Sequence, residues 1–167
     1  MDTLFECDGN AAVISECGRY RYSLTRRWGD GNCVTWLMLN PSTADANIDD
    51  ATIRKCIGFS KRWGYARMIV VNLFGLRSTD PRALAKSDDP VGPQNDWYLH
   101  EAFMEGHEVI CAWGCTQHLT TGPLRLRIGM VLSKIPTHHS KMCLGRRKDG
   151  APRHPLMLPY STPLQPL

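Results

Sequence analysis

The run Val34-Thr35-Trp36-Leu37-Met38-Leu39-Asn40-Pro41 decides the fold class of this 167-residue chain. A continuous apolar run of this length predicts a strand that is buried on both faces of a sheet. Pro41 ends the strand, because proline cannot donate the next hydrogen bond of a ladder. Residues 68–71 and 109–113 form two further runs of the same kind. Strands buried on both faces are typical of parallel sheets covered by helices, so the sequence predicts an α/β protein.

Helical segments alternate with these strands. Asp49 or Asp50 can cap a helix predicted over about 51–63, after the polar loop that follows Pro41. The remaining predicted elements are strands at 20–24 and 141–144, a helix at about 94–104, and a helical region from Thr116 to Leu132 interrupted at Gly122-Pro123. This alternation predicts a three-layer α/β/α sandwich with a mainly parallel central sheet.

The composition is that of an ordinary globular domain. Hydrophobic residues make up 43% of the chain and charged residues 22%, and the length fits one domain over 1–167. The tail, about 152–167, contains five prolines and is expected to pack as an extended strap. No apolar run approaches the ~20 residues of a membrane span, and the acidic N-terminus has no signal-peptide pattern. We therefore expect a cytoplasmic monomer that does not bind membranes.

Charge is distributed unevenly along the chain. From Arg125 onward there are eight Lys and Arg residues and one acid, Asp149, for a net charge of +7, whereas the residues before Arg125 carry −3. A basic third joined to an acidic remainder fits a phosphate-bearing partner such as nucleic acid. A solvated basic surface without such a partner would have the same composition.

Seven cysteines are scattered along the chain. An odd number cannot pair fully within one chain, and only Cys111-x-x-x-Cys115 comes near the spacing of a metal site. Buried reduced thiols, which pack as small hydrophobes, explain this pattern best. We expect neither a metal nor a cofactor.

Polar residues follow the predicted strands at the point where each strand ends. Asn40 and Asn72 each terminate an apolar strand, and Trp113-Gly114 terminates a third. Open α/β sheets bind ligands beyond the carboxyl ends of their strands. An asparagine offers donors and an acceptor without charge, which suits the edge of a nucleobase or an oriented water. The alternative for each asparagine is a loop cap that satisfies backbone groups after the strand.

Other residues near these strand ends add weaker signals. His154 lies between prolines in the basic tail, where it can contact an anionic ligand or lie on the surface. Ser42 could be a nucleophile only with a base that the sequence does not reveal. Asp45, Asp49 and Asp50 form an acidic group that can cap the helix or contact Mg²⁺ or ribose. The sequence contains no glycine-rich phosphate loop and no Gly-x-Ser-x-Gly elbow.

Seven short motifs lie along the chain: Tyr20-Arg21-Tyr22-x-Leu24-x-Arg26, Leu39-Asn40-Pro41-Ser42-Thr43-Ala44-Asp45, Asp49-Asp50-x-Thr52-x-Arg54, Trp63-Gly64-Tyr65, Val71-Asn72-Leu73, Arg77-x-Thr79-Asp80-Pro81 and Gly92-Pro93-x-Asn95-Asp96. Together they resemble the pattern of a bacterial and phage domain family of unknown function. The match extends over nearly the whole chain and identifies a family without identifying an activity.

A more distant resemblance, to the uracil-DNA glycosylase superfamily of α/β/α sandwiches, suggests a mechanism. Leu39-Asn40-Pro41-Ser42 is similar to its first motif, where an asparagine holds the hydrolytic water, although no carboxylate adjoins Asn40 here. Val70-Val71-Asn72-Leu73 resembles the strand whose terminal asparagine reads the base edge, and Ala112-Trp113-Gly114 resembles the next strand end. His154-Pro155-Leu156 resembles the loop that supplies a histidine to the leaving base and an apolar wedge to the duplex.

This resemblance implies a DNA glycosylase-like enzyme that flips a modified or damaged base and hydrolyses its N-glycosidic bond. The implied site residues are Asn40, His154 and Asp45 for catalysis, Asn72, Phe74, Trp113 and Ser42 for the base, and Arg77, Arg146, Arg147, Lys148, Arg153 and Leu156 for DNA. The partner would be DNA carrying the modified base, or a nucleotide.

Two alternatives stay open on the sequence. One is a transferase that modifies a base or nucleotide on the same scaffold, and the other is a non-catalytic module that binds nucleic acid or nucleotide. Acidic loop residues facing the crevice would favour catalysis. A loop that only caps the helix would leave binding open.

Overall fold

A computed structural model describes residues 9–167, which contain one seven-stranded sheet. Residues 1–8, among them Cys7, lie outside the described part of the chain. The order of strands across the sheet is β1-β2-β4-β3-β5-β6-β7. The strands are β1 Ala11–Ile14, β2 Arg21–Arg27, β3 Cys33–Met38, β4 Arg67–Asn72, β5 Glu108–Cys111, β6 Ser140–Cys143 and β7 Gln165–Pro166.

The sheet is mixed, so the expectation of a mainly parallel sheet is not confirmed. Strands β4, β3, β5 and β6 form a parallel centre, but the pairings β1–β2, β2–β4 and β6–β7 are antiparallel. Only β3, β4 and β5 have the apolar runs that predict burial on both faces. The antiparallel strands flank them, and their short or amphipathic sequences do not reveal chain direction.

In the described part of the chain three helices accompany the sheet, α1 Ala51–Arg62, α2 Asn95–Glu105 and α3 Gly122–Lys134, and a short 3-10 helix spans Pro81–Lys86. Asp50 caps α1, since its carboxylate accepts a hydrogen bond from the Ile53 N–H at 2.9 Å. The predicted helical region from Thr116 is wrong in its first part, which forms turns. Gly122-Pro123 begins α3 because a proline in the first turn lacks only an N–H that would have no helical partner.

The alternation of side chains along the central strands creates two apolar clusters, one on each face of the sheet. Trp36 faces α1, and its indole N–H donates to the Ser60 hydroxyl of that helix at 2.9 Å. The cluster on the α1 face includes Val34, Trp36, Met38, Ile53, Cys56 and Phe59. The cluster on the other face includes Leu37 of β3 and Val71 of β4. Leu99 and Phe103 of α2 and Leu124 and Val131 of α3 pack against them.

The proline-rich tail packs against α1 and returns to the sheet. Lys55 of α1 donates to the Leu158 carbonyl at 2.6 Å, and the Tyr160 ring lies 5.0 Å from that of Phe59, edge to face. Gly58 makes this contact possible, because a Cβ there would lie 2.4 Å from the Tyr160 hydroxyl. The last residues form β7, which pairs with β6. The tail therefore has turns and fixed contacts, and it holds the segment around residue 154 in place.

The six cysteines among residues 9–167 are free, and four of them, Cys33, Cys56, Cys111 and Cys143, are buried. Burial raises the pKa of the Cys33 and Cys111 thiols to about 12, which makes them unreactive at neutral pH. In this described region no three His, Cys, Asp or Glu side chains are grouped so as to hold a metal ion. None of the helices described here is long and apolar enough to cross a membrane.

Candidate functional site

A cavity of about 410 Å³ lies at the carboxyl ends of β3, β4 and β5, on the face of the sheet that α1 covers. Its volume is within the range of small-molecule sites. Asn40, Asn72 and His154, which are far apart in the chain, all line it. The other polar or reactive residues of the lining are Arg21, Ser42, Asp50, Thr52, Ser78, Thr79, Trp113, Cys115, His118 and Arg147.

Asn72 is a buried amide without a hydrogen-bond partner. The residue is 1% exposed, and neither its Oδ1 nor its Nδ2 forms a hydrogen bond within residues 9–167. Its backbone, by contrast, is fixed, since the Asn95 amide donates to the Asn72 carbonyl at 3.0 Å. A buried polar group left unpaired costs about 1–3 kcal/mol, so this amide in the cavity wall is available to pair with a ligand or a water molecule.

Asn40 has one half of its amide committed to the protein and the other half free. Its Nδ2 donates to the carbonyls of Ser78 at 2.9 Å, Pro41 at 3.2 Å and Leu76 at 3.4 Å. The amide donor of Asn40 therefore acts as a loop cap, the alternative that the sequence left open for this residue. These bonds also fix the orientation of the amide, and its Oδ1 accepts no hydrogen bond in the described region. The free oxygen is an acceptor that a water molecule or a hydroxyl group can use.

His154 is held in one orientation at the cavity. The Leu156 N–H donates to its Nδ1 at 3.3 Å, so the neutral ring has its proton on Nε2, which is a donor. Desolvation by burial lowers the pKa of His154, although the Asp50 carboxylate opposes this effect. The imidazole is therefore neutral at pH 7. Gly114, with φ of +74°, lets the tail approach the end of β5, and its N–H donates to the Pro152 carbonyl at 3.1 Å.

One carboxylate of the acidic loop reaches the cavity, and it is not the one that the sequence assigned to catalysis. Asp45 does not line the cavity, because its Oδ1 accepts from the Asn47 and Ile48 N–H groups within the loop. Asp49 pairs with Arg26 at 2.8 Å. Asp50 caps α1 through Oδ1 and lines the cavity, and its Oδ2 forms no hydrogen bond in the described residues.

The predicted base-binding residues divide into two groups. Ser42 and Trp113 line the cavity. The indole N–H of Trp113 is buried and has no partner among residues 9–167. Phe74 does not line the cavity, because it packs in the apolar cluster on the opposite face of the sheet, where it is 1% exposed. The structure therefore corrects the assignment of Phe74 to the base.

Of the residues predicted to bind DNA, one lines the cavity and one lines the groove that shares residues with it, and the others are exposed or line a separate depression. Arg147 lines the cavity itself, and Arg77 lines an adjoining groove with Ser42, Thr43, Ser78 and Thr79. Arg146 lines a separate depression near α3. Lys148 and Arg153 are exposed, and Leu156 is 36% exposed beside His154.

Sequence reasoning did not identify Arg21, Cys115 and His118 as cavity residues, and it considered Asp50 only as one of three acidic loop residues that could cap the helix or contact a ligand. Arg21 begins β2, which is antiparallel to β4, so the first residue of β2 lies beside the last residues of β4. A prediction that assumes parallel strands places this residue at the opposite edge. Cys115 and His118 belong to the turns that replace the expected helix after Gly114. The sequence signal that could have indicated Cys115 and His118 is their position shortly after the apolar run of β5.

The Gly114→Ala variant is expected to displace His154. A Cβ at residue 114 would lie 2.9 Å from the His154 Cβ, and alanine is strained at a φ of +74°. Left-handed backbone costs about 1–2 kcal/mol in a non-glycine residue, so we expect the free energy of unfolding to fall by at least that amount. Gly150→Ala is the matched control, because its φ is +82° but no atom lies within 4 Å of the added Cβ. NMR titration of His154 should change in the first variant and not in the second. Equal titrations would contradict the role given to Gly114.

A family model described as "Protein of unknown function (DUF1643)" matches residues 21–156. This range includes all the residues that line the cavity. No curated protein and no solved structure matches the chain.

Proposed function

The chain belongs to the DUF1643 family, and from its cavity we propose that it is a DNA glycosylase-like enzyme that excises a modified or damaged base. The proposal includes a three-layer arrangement of the glycosylase type around the central parallel strands. The observation on which it depends is the unpartnered amide of Asn72, in the same cavity as Asp50 and His154. The bond that breaks joins the base to C1′ of its sugar, and water supplies the hydroxyl that replaces the base.

Asn72 would recognise the base. An amide presents a donor and an acceptor side by side, which complement the carbonyl and N–H edge of a base flipped out of its stack. Because both atoms are buried and unpaired, the hydrogen bonds with the base would form in a desolvated environment and discriminate strongly between bases.

Asp50 and Asn40 would act on the water. The free Oδ2 of Asp50 can accept a proton from the water that attacks C1′, and the free Oδ1 of Asn40 can orient that water. The negative charge of Asp50 would also stabilise the positive charge that develops on the sugar as the bond breaks. In this proposal Asp50 has the role of the carboxylate that is absent from the sequence next to Asn40.

His154 would stabilise the departing base. As the bond to the sugar breaks, the electron pair leaves with the base, and the Nε2–H of a neutral imidazole can donate to the resulting anion. The neighbouring Leu156 and Met157 are 36% and 87% exposed, which suits an apolar wedge that enters the space left by the flipped base. Arg147 at the cavity, with Lys148 and Arg153 nearby, would contact the phosphates.

The Asp50→Asn variant tests this proposal without removing the helix cap. Asparagine caps helices about as well as aspartate, so the free energy of unfolding should change by less than about 1 kcal/mol. The rate of base excision should fall about 10²–10⁴-fold, because an amide cannot accept the proton. DNAs that carry different modified bases are incubated with the protein and then treated with alkali, which cleaves at abasic sites.

Asp45→Asn is the control for this experiment, because Asp45 lies in the same loop but outside the cavity. Its excision rate should equal that of the unmodified protein. An Asp50→Asn variant that retains the full rate would contradict the role of Asp50. Absence of abasic sites with every substrate would contradict the glycosylase proposal as a whole.

A base- or nucleotide-modifying transferase is the second candidate, and the presence of Cys115 and His118 in the same cavity favours it. A half-buried thiol that lines the same cavity as an imidazole can act as a nucleophile in group transfer. This activity would change the mass of the base and leave its bond to the sugar intact. DNA that is bound without either change would instead indicate a binding module.

A further inference from the structure

Arg21 is a buried cation without a counterion in the cavity wall. It is 2% exposed, it forms no salt bridge within residues 9–167, and its Nε has no hydrogen-bond partner there. Of its guanidinium atoms, Nη1 alone forms a hydrogen bond with a described residue, donating to the Ala44 carbonyl at 2.8 Å. A buried charge is stable only when paired, so this guanidinium lacks an anion.

The charges around Arg21 do not supply that anion. Arg26 and Arg77 repel its charge, while Asp50 and Asp45 attract it from outside hydrogen-bonding distance. Desolvation lowers the pKa of Arg21 to about 10, which leaves the side chain positively charged at neutral pH. Arg26, on the same strand and equally buried, differs because it pairs with Asp49. The excess positive charge is therefore located at Arg21 and Arg77.

The cavity continues into a groove lined with hydroxyl groups. Ser42, Ser78 and Thr79 line both the cavity and the groove, and Arg77 forms part of the groove wall. The Nε of Arg77 is also buried without a partner in the described residues, whereas its Nη1 donates to the Gly18 carbonyl at 3.2 Å. Guanidinium groups with adjacent hydroxyls are the donors that phosphate groups bind.

We propose that Arg21 and Arg77 hold a phosphate group of the target nucleotide, at the junction of the cavity and the groove. The inference rests on the proposed function in placing the base near Asn72, but phosphate binding is measurable without any base excision. The ligand is then a nucleotide and not a free base or nucleoside. Its phosphate is a diester of the DNA backbone, beside the flipped nucleotide, and a free nucleotide would use the same contacts.

The test compares charged and uncharged probes on the full chain by calorimetry. Thymidine 5′-monophosphate is compared with thymidine, and the dinucleotide TpT is compared with its methylphosphonate analogue, which lacks the backbone charge. We expect at least one charged probe to bind about 10–100-fold more tightly than its uncharged counterpart. A preference for TpT alone identifies the DNA backbone as the source, and a preference for the monophosphate alone identifies a free nucleotide.

Three variants locate the site. Arg21→Gln and Arg77→Gln should each remove most of the preference for the charged probe, while Arg26→Gln should leave it unchanged. Arg26 is the matched control because it has the same strand and burial but pairs with Asp49. Circular dichroism shows whether each variant folds. If Arg21→Gln does not fold, Arg77→Gln and the comparison of charged with uncharged probes still test phosphate binding.

Equal affinities for charged and uncharged probes, or no measurable binding of any charged probe, would overturn the inference. The result is independent of the glycosylase proposal. Charge-dependent binding without excision would leave the phosphate site standing and remove the proposed activity. Excision that proceeds equally well with neutral methylphosphonates beside the target would support the glycosylase activity and contradict the phosphate site.

Discussion

Replacing Asn72 by alanine is expected to abolish base recognition and to leave the protein about as stable as before. The side chain forms no hydrogen bond within residues 9–167, so its removal breaks none and relieves two unpaired polar atoms. That gain, about 1–3 kcal/mol, offsets the packing that the smaller residue loses. In contrast, the transition state for excision would lose its two contacts with the base, and the rate should fall about 10²–10³-fold.

Asn95→Ala is the matched control for this prediction. Asn95 is also a buried asparagine, but its amide donates to the carbonyls of Asn72 at 3.0 Å and Leu73 at 3.4 Å. Its removal should lower the free energy of unfolding by about 1–3 kcal/mol. Chemical denaturation and the alkali assay on both variants separate stability from recognition. A large loss of stability in Asn72→Ala would show that Asn72 is a structural residue and contradict the proposed role.

The parts of the fold that the sequence predicts well are those with a strong local pattern. The apolar runs of β3, β4 and β5 and the cap at Asp50 lie close to where sequence reasoning puts them. Their order also explains why Asn40 and Asn72 line one cavity, since adjacent parallel strands end at the same edge. The roles of these residues stay predictions.

The parts that sequence reasoning missed depend on long-range pairing. Strand β1 and the two-residue β7 have no alternation that distinguishes them from loop, and only their partners make them strands. The antiparallel direction of β2 brings Arg21 to the cavity, and no local signal encodes it. The burial of Phe74 on the far face likewise follows from the sheet and not from its position after a strand.

Asp50 illustrates how one residue can satisfy two explanations at once. Sequence reasoning treats helix capping and a functional role as alternatives for the acidic loop. In the structure one carboxylate oxygen caps α1, and the other has no hydrogen-bond partner among residues 9–167 and belongs to a residue that lines the cavity. A cap of this kind orients the carboxylate rigidly, because its first oxygen is fixed by the Ile53 N–H. Helix capping by Asp50 is therefore compatible with a role of the same residue at the cavity.

The rate of excision is expected to depend on the neutral form of His154. Desolvation lowers the pKa of this imidazole below its ordinary value of about 6.5. Protonation places a proton on Nδ1 of His154. Nδ1 can then no longer accept the hydrogen bond from the Leu156 N–H, and the bond that orients the ring is lost. The rate should therefore fall as the pH drops through the lowered pKa, and it should be constant above it.

The same shift makes folding depend on pH in a defined direction. The folded state binds the proton of His154 less readily than the unfolded state, whose imidazole has a pKa near 6.5. The contribution of His154 to stability is therefore complete above pH 6.5 and is lost as the pH falls from there through the folded pKa. Urea denaturation at several pH values should show this loss in the unmodified protein and a smaller one in His154→Gln.

His154→Gln and His154→Ala separate the charge of this residue from its hydrogen bond. Glutamine retains an N–H donor but does not titrate, so the part of the acid limb that His154 causes should be lost, with a modest loss of rate. Alanine removes the donor, and the rate should fall about 10²–10³-fold because the departing base is no longer stabilised. His100, which does not line the cavity, is the control, and His100→Gln should retain both the rate and the acid limb. An acid limb that is identical in His154→Gln and in the unmodified protein would contradict the role of His154.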